Sequence, residues 1–213
     1  ISNFGKTYFW MFLIGSIVLF YEMVKNLNKK DKWISISVYL LFLFGFTFSR
    51  YSPNSNFNGV SKLSIFVYIS SLITFLLFIV ITYLYSFYKK RELFDEILKF
   101  DKLYTFVFVW FFIMIIAGRS AVRLLFILSP ITAILAAYLT FKVIEEINKF
   151  LKTSYYKVIA YVVIGLFVLS ILSGFASSSL AQASGVGPTY NQQWQYTGKW
   201  IRENTQEDAV FAH

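Results

Sequence analysis

Apolar residues in this chain gather into six long runs separated by short polar interruptions, at approximately Tyr8 to Val24, Trp33 to Ser49, Leu63 to Tyr88, Leu103 to Gly118, Leu124 to Ile144 and Val158 to Gly174. Each is long enough, or nearly so, to cross a hydrocarbon core that needs about 20 helical residues. Several are rich in Phe, Ile and Val, a mixture that in water favours strands. Lipid reverses that preference, because a lipid-exposed segment must satisfy its own backbone hydrogen bonds, and no run shows the alternation of a barrel strand. The pattern predicts six membrane-spanning helices within residues 1–175.

Shorter patterns fill the gaps. Leu93, Phe94, Ile97 and Leu98 recur at helical spacing among charged residues, as do Ile147, Phe150 and Leu151. Both stretches read as amphipathic segments lying on a membrane surface. Pro130 cannot donate an amide, so a kink is expected in the fifth span, and Ala133, Ala136 and Ala137 after it suggest close helix packing. The connector RYSPNSNFNGVSK, Arg50 to Lys62, is polar and turn-rich.

After the sixth run the composition changes: 176–188 is small and polar and reads as a linker. Residues 189–213 then read as the start of a soluble mixed α/β domain. Thr189 and Gln192 have capping-box spacing, Trp194, Thr197, Trp200 and Ile201 share one helical face, and Ala209 to Ala212 have the make-up of a buried strand.

Composition settles the class, since 57% hydrophobic and 15% charged residues is far from the soluble average. The chain has no cysteine, and its single histidine is His213, which excludes disulfides, thiol nucleophiles and His/Cys metal sites. The net charge of +9 does not point to nucleic acid, because the basic residues sit in short loops between apolar runs. Thirteen Lys and Arg follow the first, third and fifth spans and seven lie on the other side. The positive-inside rule then places both ends of the sequence outside the cytoplasm. With no initiator Met and no signal pattern, the sequence reads as an internal stretch of a longer chain.

The one concentration of charge beside a span that suggests chemistry is GRSAVRLLFILSP, Gly118 to Pro130. Arg119 and Arg123 are four apart, so on a helix they share a face and repel unless an anion sits with them. Two readings stand: both side chains snorkel to lipid headgroups, or they hold an anionic ligand. Glu22, close to the end of the first run and beside the lysine-rich loop, is the one Asp or Glu inside an apolar run, and no other is placed to serve as a partner.

Three stretches carry a family resemblance. WIRENTQEDAVFAH (Trp200 to His213), AVRLLFILSPITAILAA (Ala121 to Ala137) and the Ser-rich exit at Ser177 to Ser179 resemble the catalytic subunit of oligosaccharyltransferase, in its archaeal single-subunit form. The resemblance implies a membrane helix bundle of the glycosyltransferase C superfamily followed by an α/β outer domain. It implies transfer of an oligosaccharide from a polyprenyl (dolichyl-type) phosphate or diphosphate to the Asn of an Asn-x-Ser/Thr acceptor polypeptide.

By the same resemblance, Arg123 holds the lipid-linked phosphate and Arg119 supports it. A divalent cation, Mn or Mg, is implied for the whole enzyme, with acidic ligands and the catalytic groups outside these residues, so no catalytic or metal-binding residue is assigned here. The sequon-reading WWDYG motif is expected directly after His213. The hairpin from Trp33 to Tyr88 reads as an insertion. Competing readings are another lipid-phosphate glycosyltransferase, a transporter, or a non-catalytic multi-pass anchor.

Overall fold

The computed structural model describes residues 3–120, 125–151, 153–185 and 192–206. They form eight helices: α1 (Asn3–Val24), α2 (Lys29–Phe48), α3 (Lys62–Lys89), α4 (Arg91–Leu98), α5 (Lys102–Ser120), α6 (Leu125–Phe150), α7 (Ser154–Gly185) and α8 (Gln192–Asn204). Helix accounts for 87% of the described residues and no strand occurs among them, so the membrane part is a helix protein and not a barrel. Six helices, α1, α2, α3, α5, α6 and α7, are long and apolar enough to span a bilayer. The chain is a multi-pass integral membrane protein.

Most helices overrun the apolar runs that announce them. α2 begins at Lys29, ahead of its first apolar residue, with Asp31 in the first turn where the helix dipole favours an anion. α6 continues to Phe150, so Ile147 and Phe150 belong to the end of a span rather than to a separate surface helix. α7 runs on through 176–185, where a linker was expected. Alanine favours helix, and the serines turn their hydroxyls onto their own helix: Ser178 donates to the Gly174 carbonyl at 2.9 Å and Ser184 to that of Ala181 at 3.0 Å. The capping pair Thr189–Gln192 in part, and the strand at 209–212 entirely, lie outside the described residues.

The chain divides into two compact units, Thr7–Lys157 and Val158–His213 with Ile1–Lys6. In the second, α7 has 32 residues, about 48 Å of helix against a hydrocarbon core of about 30 Å. α8 carries exposed Trp194, Tyr196 and Trp200.

The first unit is a bundle held by aromatic side chains. Tyr39, Phe42 and Phe46 of α2, Phe75 of α3 and Phe111 of α5 are each at most 1% exposed. Phe20 stacks on Tyr39 at 4.3 Å and Phe42 on Phe75 at 4.7 Å. Inside lipid no hydrophobic force drives helices together, so interlocked rings and close backbone approach supply the contact.

Close approach falls at glycines, and of the three expected alanines only Ala136 is buried. A Cβ on Gly15 of α1 would stand 2.2 Å from the Leu135 carbonyl oxygen of α6, and one on Gly45 of α2 would stand 2.9 Å from Ser71 Cβ of α3. Ala133 and Ala137 are exposed, and Ile131, Thr132, Leu135 and Ala136 form the packing face of α6.

The two ends of the bundle differ. At the lysine-rich end, Lys90 pairs with Asp31 and ties α3 to α2, while Lys142 of α6 reaches Glu22 of α1 at 3.6 Å. The hydrogen bond to Asp31 holds the Lys90 ammonium above its ordinary pKa, and Glu22 does the same for Lys25. α4 packs there as its pattern predicts, with Leu93 and Phe94 buried.

At the other end, the 50–62 connector folds back on itself. Arg50 bridges Asn58, Gly59 adopts φ +90°, and the Gly59 amide donates to Ser64 Oγ at 2.9 Å. Ser64 Oγ in turn donates to the Ser49 carbonyl.

Candidate functional site

Arg119 occupies the last turn of α5, where the helix dipole favours a cation. α5 delivers it to the connector end of the bundle, beside the C-terminal end of α2 and the N-terminal part of α3. Its guanidinium carbon lies 4.7 Å from the ring centroid of Tyr68 and 6.0 Å from that of Phe46. Those two rings are themselves 5.0 Å apart, so three helices build the cleft in which the half-buried guanidinium sits. Cation–π contacts of this kind hold the plane of an arginine through its face, and its donors point along the edge.

Arg50 is exposed and within electrostatic reach of Arg119. Arg50 and Arg119 thus share this end, with Lys62 at the start of α3, and no carboxylate of residues 7–157 lies between them. Every Asp and Glu of residues 7–157 (Glu22, Asp31, Glu92, Asp95, Glu96, Asp101, Glu145 and Glu146) belongs to the lysine-rich end. Among the described residues, Arg119 makes ring contacts and no ion pair. The arrangement can bind an anion: a guanidinium held against two rings, a second positive charge nearby and no counter-ion from residues 7–157.

Arg123 lies outside the described residues. The helical face that Arg119 and Arg123 are expected to share therefore lies in part outside the described residues; Arg119 itself belongs to the last turn of α5. Sequence reasoning missed Phe46, Tyr68 and Arg50. A signal existed in the aromatic residues that collect where spans meet water, but their convergence on one arginine depends on how α2, α3 and α5 pack.

The divalent cation implied by the resemblance finds no fitting ligand set here. The described residues contain no group of three or more His, Cys, Asp or Glu, and the arginine end of the bundle presents no carboxylate to a hard cation.

No protein-family model matches the chain, and neither a curated protein nor a solved structure is similar to it. The functional reading therefore rests on the residues themselves.

Proposed function

We propose that this chain is the membrane part of a glycosyltransferase of the oligosaccharyltransferase kind, in which the Arg119 end of the bundle holds the phosphate of a polyprenyl-linked oligosaccharide donor. The observation that carries the reading is the packing of Arg119 against Tyr68 and Phe46, close to Arg50, with no carboxylate of residues 7–157 at that end. A guanidinium packed against rings and in no ion pair keeps N–H donors for an outside acceptor, and phosphate matches its planar fork.

Placed at a membrane surface, the site meets the phosphate of a lipid whose tail remains in the bilayer. As the bond between sugar and phosphate breaks, charge develops on the departing phosphate oxygen, and a prearranged cation stabilises it. Arg123 is the second guanidinium of this reading. The amide nitrogen of Asn in Asn-x-Ser/Thr is the acceptor, and the acidic groups and divalent cation that such chemistry uses come from outside the described residues. The lysine bias orients the arginine end away from the cytoplasm, in the cell membrane if the source is archaeal.

The test is transfer from a lipid-linked oligosaccharide to a fluorescent Asn-x-Thr peptide by the full-length protein. Arg119→Ala is expected to lower donor turnover or raise the donor's apparent KM at least tenfold, with Arg119→Lys intermediate because it keeps the charge and loses the fork. Transfer to a lipid or sugar acceptor and none to the peptide would replace this reading with another lipid-phosphate glycosyltransferase.

A further inference from the structure

The bundle contains a second candidate site far from Arg119. Near the lysine-rich end, a cavity of about 260 Å³ is lined by Phe20 and Met23 from the α1 side, Ile79 and Tyr83 from α3, and Phe100 and Val109 at and within α5, among others. No charged side chain lines it. Two of its wall alcohols are turned onto their own helices: Ser35 donates to the Asp31 carbonyl at 2.8 Å and Thr105 to the Asp101 carbonyl at 2.8 Å. A water needs two to four polar partners, and these walls offer it little. Left empty, the lining would forfeit dispersion contacts.

The cavity also reaches the lipid-facing surface. Ile79 and Val109 line it and are 44% and 45% exposed, so its opening lies between α3 and α5. Val109 lies seven residues beyond Lys102, about 10 Å along the helix, which is within the hydrocarbon region of the nearer leaflet.

The mouth is basic. Lys99 and Lys102 are exposed, flank the lining residue Phe100, and make no ion pair among the described residues. The acid between them, Asp101, is engaged in capping α5, accepting from the amides of Leu103 at 2.8 Å and Tyr104 at 3.3 Å. Other charges of this end include Asp31, paired with Lys90; Glu92, Asp95 and Glu96 on α4; Arg91, whose guanidinium lies over Phe87 and Phe94; and the Glu22, Lys142, Glu145 and Lys149 cluster of α1 and α6.

We propose that this cavity is a lipid site that takes one acyl chain of an anionic phospholipid from the leaflet at the lysine-rich end, with the headgroup phosphate held by Lys99 and Lys102. Basic pockets between spans bind anionic headgroups in this way. The site is independent of the donor reading, since its residues share nothing with the Arg119 cleft.

The experiment is native mass spectrometry of the full chain released from mild detergent with equal phosphatidylglycerol and phosphatidylcholine. The wild type is expected to retain one phospholipid per chain and to prefer phosphatidylglycerol. Val109→Trp fills the cavity and should lose the retained lipid. Ile79→Trp fills it from the opposite wall and serves if Val109→Trp does not keep wild-type helicity. Lys99→Gln and Lys102→Gln should keep a lipid and lower the preference for phosphatidylglycerol about fivefold for each lysine removed. Equal retention of the two lipids by the wild type, no retained lipid, or undiminished retention in a folded cavity-filling variant overturns the proposal.

Discussion

Replacing Gly15 with alanine adds one methyl group where the α1 backbone meets that of α6. The new Cβ would stand 2.2 Å from the Leu135 carbonyl oxygen and 2.9 Å from its carbonyl carbon, against 3.4 Å for ordinary contact, so about 1.2 Å of separation is missing. The obstacle is backbone and cannot rotate aside. Leu135 is fully buried, and Tyr8 of α1 meets Thr132 of α6 at 2.9 Å across the same helix pair.

Two effects oppose each other. Overpacking a tight core costs about 1–3 kcal/mol, and loosening the Tyr8–Thr132 hydrogen bond adds about 0.6 kcal/mol, typical of such bonds in membranes. The better helix propensity of alanine returns at most about 1 kcal/mol. Packing wins, with a net loss of about 1–2 kcal/mol and a fall in Tm of roughly 2–8 °C.

Two other glycines calibrate the result. Gly45→Ala meets a side-chain atom, Ser71 Cβ at 2.9 Å, and should cost less, whereas Gly165→Ala meets nothing within 4 Å and should leave Tm unchanged or slightly raised. Thermal unfolding of the purified chain in one detergent, followed by circular dichroism, ranks the three. A Gly15→Ala protein as stable as the wild type would refute the close crossing of α1 and α6.

Ser64→Ala removes the hydroxyl that joins Gly59 to Ser49 and should destabilise the 50–62 connector by about 1–3 kcal/mol, read as faster proteolysis there with the bundle intact; an unchanged rate removes Ser64 as the anchor. Lys90→Met should lower stability at neutral pH. Because Asp31 raises the Lys90 pKa in the folded state above its ordinary 10.5, that contribution is full below 10.5 and is lost as pH rises through the folded value. The two proteins should therefore converge only in strong alkali, and convergence near neutrality argues against the pair. Since the chain has no cysteine, single cysteines at Asn28 and Asn56 can be labelled cleanly; an impermeant reagent outside the cell should reach only Asn56→Cys, and labelling of both contradicts the topology.

The spans were legible because hydropathy reports contact with lipid, and lipid forces helix. Their ends were not, because helices outlast that contact. Lys29 opens α2 and Ser184 remains in α7, since an acid in the first turn, alanine and serine back-bonding carry a helix into the headgroup region where hydropathy has already fallen. α4 was legible as a short amphipathic helix from Leu93, Phe94, Ile97 and Leu98 among charges, although only Leu93 and Phe94 are buried and Leu98 is exposed.

Packing was less visible. The Ala133 and Ala137 spacing suggested an interface that the structure gives to Gly15, because a small-residue motif states where approach is allowed and not which helix arrives. For the site, sequence singled out Arg119 as a charge beside an apolar run. It could not supply Tyr68 and Phe46, which lie 51 and 73 residues away and reach it only through the tertiary arrangement.

The most direct measurement is the affinity of the reconstituted chain for a short-chain polyprenyl phosphate, with the matching polyprenol as reference. The two ligands share a tail and differ only in the anion that Arg119 is proposed to hold. The account predicts that the phosphate binds at least tenfold more tightly than the alcohol, that Arg119→Ala abolishes the difference, and that Arg119→Lys restores part of it, since charge-assisted bonds of this kind contribute about 1.5–3 kcal/mol. Equal affinity for phosphate and alcohol, or a difference that survives Arg119→Ala, would contradict it and leave Arg119 as a cation that only packs against its rings.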